Sequence, residues 1–228
     1  MIDSISCWID FTDGNSLFVD DGINKAINNG DLIYRASDKS GMGRHFYQTT
    51  EARRPLYRPA IGLGAAEFDG IDDILQSSSL FFTNTGTIIA VIRLSSTSEK
   101  GAIAGAGIKD AGWHFGIGKD SFDNTGNDFI VLYSMVKWGD SNDALGTGNT
   151  LMTLKMDNYA ATCYIKGIQN HTISASTALP STCMTIGGEG ANRYFTDHIY
   201  EVVYFSSALS DANRALVENY LMAKHGIV

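Results

Sequence analysis

Short runs of apolar and β-branched residues, separated by Gly, Asn, Asp and Ser, make up most of the 228-residue chain. Alternation of apolar and polar positions within such runs is typical of strands with one buried face. The run Thr87–Leu94 is almost continuously apolar, which predicts a central strand covered on both faces. Thirteen strands follow from the pattern, near residues 5–11, 32–36, 63–68, 74–76, 87–94, 101–106, 113–117, 129–136, 151–156, 160–165, 169–173, 184–186 and 199–205.

One helix is predicted at the end of the chain, after the last strand. Ser210 is placed to cap its first turn, where Asp211 follows, and Lys224 and His225 lie in its last turn. Gly226 then supplies the left-handed residue that commonly ends a helix. Spacings of three to five residues predict one buried stripe. This stripe comprises Ala212, Leu216, Tyr220 and Leu221. The elements together predict an all-β fold of two packed antiparallel sheets with one C-terminal α-helix.

The composition suits a single domain over residues 1–228 with a sizeable core. Hydrophobic residues make up 44% and aromatic residues 11%, and 24 glycines indicate many tight turns. The net charge of -8 argues against nucleic acid or an anionic membrane surface as the main partner. We expect no signal peptide and no membrane insertion, because the first residues hold neither a basic segment nor a long apolar run. Three widely spaced cysteines predict reduced, buried thiols.

Aromatic residues beside planar polar groups are the candidates for carbohydrate binding, because sugar rings stack on aromatic faces and sugar hydroxyls pair with polar groups. A polar, glycine-rich loop follows Trp138, and the pair Arg193-Tyr194 precedes the last long strand. The alternative is structural packing, with Trp138 at the sandwich edge, Tyr194 over the helix and His114 a partly exposed strand residue. The predicted carbohydrate-binding residues are Trp138, Asp140, Asn142, Trp113, His114, Arg193 and Tyr194.

No catalytic pattern is evident in the sequence. Glu67, Asp69 and Asp72 come nearest to a glycosidase carboxylate pair, but they fall in a glycine turn instead of along a strand face. We therefore predict a protein that is not an enzyme and needs no cofactor. Calcium is the alternative that the oxygen-rich loops at residues 120–128 and 140–143 leave open, although neither loop has the spacing of a calcium-binding loop.

Three ordered segments resemble a known family. They are the opening Trp8-Ile-Asp-Phe with the stretch DKSGMGRHFYQTTEARRPLYRP (38–59), the segment AEFDGIDDIL (66–75), and the ending that runs from IYEVVY through LSDANRALVENYLMAKHGI. Together they resemble the concanavalin A-like lectin/glucanase fold, specifically the laminin G-like jelly rolls of bacteriophage structural proteins and bacterial surface proteins. The resemblance implies a jelly-roll sandwich and a general association with carbohydrate or protein binding.

The opening and the DKSGMGRH element are most similar to the phage versions of this family. The resemblance therefore implies a non-enzymatic virion protein of a tailed phage, a decoration or fibre component of head or tail that binds glycan on a host or other surface. Its partners would be that glycan and other virion proteins, with a homo-oligomer left open. Assembly in the host cytoplasm agrees with the expected lack of a signal peptide. The alternatives are a polysaccharide-cleaving depolymerase and a purely structural bracing subunit.

Overall fold

The structure is a computed structural model that describes residues 5–81, 85–95, 101–106, 113–118, 129–134, 146–158, 160–174, 183–188 and 193–228. Within these ranges the chain forms sixteen strands and the α-helix α1 (Asp211–His225). No helix among them is long and apolar enough to cross a membrane. The strands are β1 (Ile5–Asp10), β2 (Leu17–Phe18), β3 (Arg35–Ala36), β4 (Phe46–Tyr47), β5 (Leu56–Arg58), β6 (Ala65–Asp69), β7 (Leu75–Ser77), β8 (Gly86–Leu94), β9 (Gly101–Ala106), β10 (Trp113–Gly118), β11 (Phe129–Ser134), β12 (Gly148–Asp157), β13 (Ala160–Ile165), β14 (Ile168–Ser174), β15 (Met184–Ile186) and β16 (Thr196–Phe205).

The strands form two antiparallel sheets, as the sequence predicts. In sheet I the order is β14-β13-β12-β8-β16-β6-β5, and β1 also pairs with β16. In sheet II the order is β11-β10-β9-β15-β7-β4-β3-β2. The long final strand β16 thus lies inside sheet I, with β8 along one edge and both β6 and β1 along the other.

Strand β8 shows why the two sheets pack together. Ile88 and Ile92 belong to the core between the sheets, whereas Ile89 and Val91 belong to a second apolar cluster beneath the helix. Because successive side chains of a strand point to opposite faces, a strand covered on both sides needs apolar residues at every position. The prediction of a central strand with two covered faces is confirmed.

Helix α1 begins and ends where the sequence predicts. The Ser210 hydroxyl accepts a hydrogen bond from the Asn213 N–H at 3.3 Å. At the other end Gly226 has φ +61°, a conformation that glycine adopts without steric cost. The helix packs on the outer face of sheet I through a cluster that includes Leu151, Val203 and Leu221, so this face of the sandwich is covered.

The predicted buried stripe of the helix is correct at Leu221 and wrong at its other three positions. Ala212 is exposed, and Leu216 and Tyr220 are 60% and 58% exposed. The side chains that face the sheet include charged ones, which a hydropathy pattern assigns to the surface. They are Arg214, Glu218, Leu221 and His225.

Buried ion pairs explain how charged residues can face the sheet. The fully buried Glu201 of β16 places Oε1 2.5 Å from Lys224 Nζ and 2.6 Å from His225 Nε2. Trp8 Nε1 donates to the other carboxylate oxygen at 2.9 Å. A buried carboxylate is tolerated when its oxygens are paired in this way.

A second set of polar contacts holds the first half of the helix. Arg214 Nη1 lies 2.5 Å from Glu218 Oε2, and Thr153 Oγ1 of β12 donates to Glu218 Oε1 at 2.6 Å. The Arg214 guanidinium also lies over the Tyr164 ring, 3.7 Å from its centroid. These contacts fix the register of the helix on sheet I.

All thirteen predicted strand positions coincide with a strand of the structure, at least in part. Three strands were not predicted, namely β2, β4 and β5, and they are only two or three residues long. The three cysteines, Cys7, Cys163 and Cys183, are buried thiols, as predicted.

Candidate functional site

A continuous row of residues crosses the outer face of sheet II. Phe18 pairs with Arg35, Arg35 with Tyr47, Tyr47 with Gln76, and Gln76 with Thr185. The neighbours of the row along each strand, among them Leu17, Ala36, Phe46, Leu75 and Ile186, are buried in the core between the sheets. Because side chains alternate between faces, the row points away from that core.

The row is partly exposed at its Phe18 end and buried at its Thr185 end. Phe18, Arg35, Tyr47 and Gln76 are partly exposed, whereas Thr185 is fully buried and its hydroxyl has no hydrogen-bond partner. Neighbouring strands lie about 4.8 Å apart, so the four spacings from Phe18 to Thr185 span about 19 Å. The open end is wide enough to contact several groups of an extended ligand.

Arg35 lies between two aromatic rings of this row. Its guanidinium carbon is 5.4 Å from the Phe18 ring centroid and 5.8 Å from that of Tyr47. The Nε atom is buried without a hydrogen-bond partner, and Nη1 donates one long bond of 3.4 Å to the Asp21 carbonyl oxygen. Gly22 contacts the guanidinium closely, so a side chain at that position would overlap it. The loop and the two rings thus hold the guanidinium plane in place.

Further rings extend the surface around Tyr47. The rings of Tyr34 and His45 each meet the Tyr47 ring edge to face, with centroids 6.2 Å apart. A second guanidinium, that of Arg54, lies 4.9 Å from the Tyr34 ring centroid. We call this surface the aromatic–arginine face. It comprises Phe18, Tyr34, Arg35, His45, Tyr47, Arg54 and Gln76.

His45 is a neutral donor within the aromatic–arginine face. Its Nδ1 accepts a hydrogen bond from the Asp38 N–H at 3.0 Å, so the ring proton resides on Nε2. Burial and the nearby charge of Arg35 lower the pKa of His45. The face therefore offers flat rings, a neutral imidazole, an amide and two guanidinium groups, a set suited to planar hydrogen bonding and ring stacking.

Of the carboxylates considered for catalysis, Asp72 lies in the turn between β6 and β7 and Asp69 ends β6, whereas Glu67 lies within β6, so the prediction that all three fall in a turn is wrong for Glu67. Asp69 Oδ1 accepts hydrogen bonds from the N–H groups of Ile71 at 2.8 Å, Asp72 at 3.3 Å and Asp73 at 3.4 Å. Glu67 pairs with Arg58 of the adjacent strand. The contacts of Asp69 agree with the turn-forming role that the sequence indicates, whereas Glu67 is held in an ion pair between two strands.

The same turn is the one place in the described ranges where three acidic side chains could share a metal ion. Ligand atoms of Asp69, Asp72 and Asp73 all lie within 4.8 Å of one another. Burial and repulsion by the Asp69 charge raise the pKa of Asp73 to about 7. The hydrogen bonds within the turn account for this cluster without a metal, and the predicted calcium loops at 120–128 and 140–143 lie outside the described residues.

Arg193 and Tyr194 lie beside the acidic turn and not on the aromatic–arginine face. Arg53 Nη2 donates to the Tyr194 hydroxyl at 3.2 Å, and Arg53 Nε donates to the Asp72 carbonyl oxygen at 3.2 Å. The Arg193 carbonyl oxygen accepts from the Ala102 N–H at 3.2 Å. Tyr194 contacts Arg53 and pairs with Gly188, so among the described residues it binds loops together and does not contact the helix, as the predicted alternative would require.

The remaining predicted residues fall on or near parts of the chain that the structure does not describe. Trp138, Asp140 and Asn142 lie outside the described residues. On β10 the backbone of Trp113 pairs with Ala106 and that of His114 with Gly105. Gly105 in turn pairs with Thr185, so His114 occupies a later backbone position of the cross-strand row.

The residues at the open end of the row were not among those predicted from the sequence. Arg35 lies within the predicted strand 32–36, but Phe18 and Tyr47 belong to strands of two residues, too short for an alternating pattern. A usable signal was present in the segment from Arg44 to Gln48, where rings and planar polar groups follow one another.

The comparisons with known proteins concern the fold. No protein-family model and no curated protein matches the chain. Domain 4 of a GH43 extracellular arabinanase from Geobacillus stearothermophilus, solved in complex with arabinotriose, is similar with a TM-score of 0.67 and 14% identity, covering 94% of this chain and 98% of that one.

Two larger enzymes contain a similar unit. A sialidase from Trypanosoma rangeli has a TM-score of 0.62 at 10% identity, covering 94% of this chain and 32% of its own. An arabinofuranosidase complexed with arabinofuranosyl-alpha-1,2-xylobiose has a TM-score of 0.66 at 14% identity, and the match covers 85% of this chain and 51% of that enzyme. The chain thus spans one third to one half of these two enzymes, and the likeness shows a shared β-sandwich fold.

Proposed function

We propose that the protein binds carbohydrate on the aromatic–arginine face. The observation that carries this proposal is the partly exposed row Phe18, Arg35, Tyr47 and Gln76, with the Tyr34 ring set edge-on to Tyr47. Sugar C–H faces pack on aromatic rings, and planar amide and guanidinium groups make paired hydrogen bonds to hydroxyls. The opposite outer face of the sandwich is covered by α1, whereas the rings of this row on sheet II are partly exposed.

The similar solved structures support the chemical class of the ligand. The arabinanase domain was solved with arabinotriose, and the other two similar proteins are named as glycosidases. These names describe those proteins, and they favour a sugar over a peptide as the first ligand class to test here. Binding without cleavage is the role we propose, because the described acidic residues nearest to a glycosidase pair are engaged in a turn and an ion pair.

The narrower role implied by the sequence resemblance is a phage virion protein that attaches to host or surface glycan or decorates the particle. That role rests on the segments similar to phage jelly rolls, and it remains a prediction together with its virion partners. It is compatible with the proposed glycan site, since a decoration or fibre protein can carry such a face outward.

A glycan array with purified protein tests the proposal, run with calcium and again with a chelator. We expect binding that Tyr47→Ala weakens at least about ten-fold, because an aromatic platform contributes on the order of 1–2 kcal/mol. Tyr220→Ala is the matched control, since Tyr220 is 58% exposed on the helix at the covered face. The control variant should bind like the wild type.

Other outcomes of these measurements would point to a different site or a different function. Binding that persists in Tyr47→Ala but is lost in Trp138→Ala would move the site to the polar loop predicted from the sequence. No binding by any variant would leave the structural bracing alternative. Release of reducing ends from polysaccharide, lost in Glu67→Gln, would show that the protein is an enzyme.

A further inference from the structure

The geometry points to an acidic glycan as the ligand, one whose carboxylate or sulfate groups pair with Arg35. This inference rests on the proposed function and specifies its ligand. It depends on a feature that general sugar binding does not require, namely guanidinium charge on the aromatic–arginine face that the protein itself leaves unpaired.

Three other arginines in the described residues are paired with carboxylates, whereas Arg44 donates to the Ser6 carbonyl oxygen at 3.1 Å. Arg53 Nε lies 3.9 Å from Asp72 Oδ2, Arg58 pairs with Glu67, and Arg214 pairs with Glu218 at 2.5 Å. By contrast, no ion pair joins either Arg35 or Arg54 to a described acidic residue. Arg35 contacts Tyr47 and Arg54 contacts Tyr34, and no described carboxylate forms an ion pair with either arginine.

Two of the three carboxylates close to this face, those of Asp20 and Asp38, are engaged in loop structure; the third, Asp21, acts on His45 through its charge but forms no ion pair with Arg35 among the described residues. Asp20 Oδ1 accepts from the N–H groups of Gly22, Ile23 and Asn24 at 3.2, 2.9 and 2.9 Å. The Asp38 carboxylate accepts from backbone N–H groups that include that of Trp8 at 2.9 Å. They hold turns together and do not reach the guanidinium of Arg35.

The hydrogen bonds of the two guanidinium groups differ. Arg54 donates to the carbonyl oxygens of Gln48 at 2.9 Å and Thr49 at 3.0 Å, so part of its hydrogen-bonding capacity is used. Arg35 makes a single bond of 3.4 Å with the described residues. A planar guanidinium fork matches the oxygens of a carboxylate or sulfate, and charge-assisted bonds of this kind are about twice as strong as neutral ones.

The negative net charge of the chain should confine the binding of an acidic ligand to the aromatic–arginine face. The net charge is -8, so an acidic polymer is repelled by the protein as a whole and gains attraction at the arginines. Attraction confined to one face should orient such a ligand along the row. Nonspecific adsorption of polyanions is not expected for a chain of this charge.

Paired ligands that differ in charge test the inference. Binding constants would be measured for oligogalacturonate against its methyl ester, and for dextran sulfate against dextran. We expect the charged member of at least one pair to bind ten-fold or more tightly, with affinity falling as salt increases. The two pairs distinguish a carboxylate from a sulfate ligand.

Two substitutions of Arg35 test whether its guanidinium produces the preference for the charged ligand. Arg35→Gln should remove the preference for the charged ligand, and Arg35→Lys should restore it only in part, since a lysine lacks the planar fork. Arg58→Gln, on sheet I, is the matched control and should keep the preference. Thermal unfolding of each variant establishes that the fold is intact, and Arg54→Gln provides a second variant should Arg35→Gln unfold.

The outcomes separate the two proposals. Equal binding of charged and neutral partners, lost in Tyr47→Ala, would overturn the acidic ligand and keep the carbohydrate site. Failure to bind any glycan would overturn both. Tighter binding of a single-stranded oligonucleotide than of every glycan would overturn the inference in favour of stacked bases on the same rings.

Discussion

Asp73 shows how one buried carboxyl can make stability depend on pH. It is 5% exposed, and burial together with the neighbouring Asp69 charge raises its pKa from an ordinary 3.8 to about 7. The folded state therefore binds this proton more tightly than the unfolded state does. Between about pH 4 and pH 7 this group lowers the free energy of unfolding as pH rises.

Asp73→Asn should remove that dependence, because the amide stays neutral and its oxygen can still accept the Asp69 N–H, now bonded at 3.0 Å. Relative to wild type, we expect the variant to gain stability from pH 5 to pH 8, by up to about 1.4 kcal/mol per pH unit across the titration. Denaturant unfolding at the two pH values measures the difference. Asp157→Asn, at an exposed position, is the control. A relative loss of stability in Asp73→Asn would show that the charged carboxylate is the favoured form, as a bound cation would make it.

At the residue scale, the sequence was informative where local chemistry decides the structure. Asp69 and Gly70 form the predicted turn because an aspartate accepts nearby N–H groups and glycine tolerates the φ of +76° found there. The proximity of Arg35 and Tyr47 could not be predicted, since it arises from pairing between short, separate strands. The sequence contains no local trace of that pairing.

At the element scale, helix α1 shows the same difference between features set by neighbouring residues and features set by contacts distant in sequence. Its caps were predictable because they depend on residues within one turn of each end. Its orientation on sheet I was not, since Glu218 and Arg214 are buried through contacts with β12 and with the Tyr164 ring. Local spacing identifies a helix, whereas partners distant in sequence decide which side of it is covered.

Two leucines of this helix give a matched test of its orientation. Leu221 is 1% exposed and Leu216 is 60% exposed. We expect Leu221→Ala to lower the free energy of unfolding by about 2–5 kcal/mol and Leu216→Ala to change it by less than about 0.5 kcal/mol. Chemical denaturation of both variants measures this, and the reverse ranking would restore the stripe predicted from the sequence.

On the scale of the whole molecule, Asp10 joins parts of the chain that are far apart in sequence. It lies 3.0 Å from Lys39 and 3.2 Å from Lys224 of the helix. Burial alone would raise the pKa of Asp10, but hydrogen bonds from Thr12 and Lys39 outweigh it and lower the pKa overall. The carboxylate therefore stabilises the fold above its unfolded pKa, and this contribution is lost as pH falls through the lower, folded pKa.

Asp10→Asn should cost about 1–3 kcal/mol at pH 7, because it leaves two lysines without this partner. The cost should shrink below about pH 4, where the unfolded wild-type chain protonates this carboxylate while the folded protein, with its lowered pKa, still keeps it charged. Unfolding measured at pH 7 and at pH 3 checks both statements. A cost that stays the same at both pH values would mean that shape, and not charge, is what Asp10 contributes.

The overall architecture was more predictable than the site. Two packed sheets follow from many apolar runs, since each run must bury a face somewhere. The order of strands within a sheet depends on pairings between distant segments, and it is this order that places Phe18, Arg35 and Tyr47 side by side.

The position of β16 has a consequence for how the protein is made. This strand is the last in the chain, yet β8 lies along one of its edges and β1 and β6 along the other. During synthesis, every segment that stops before Thr196 leaves those strands with unpaired edges. Sheet I can therefore close only after β16 has left the ribosome, so the nascent chain exposes edges prone to aggregation until then.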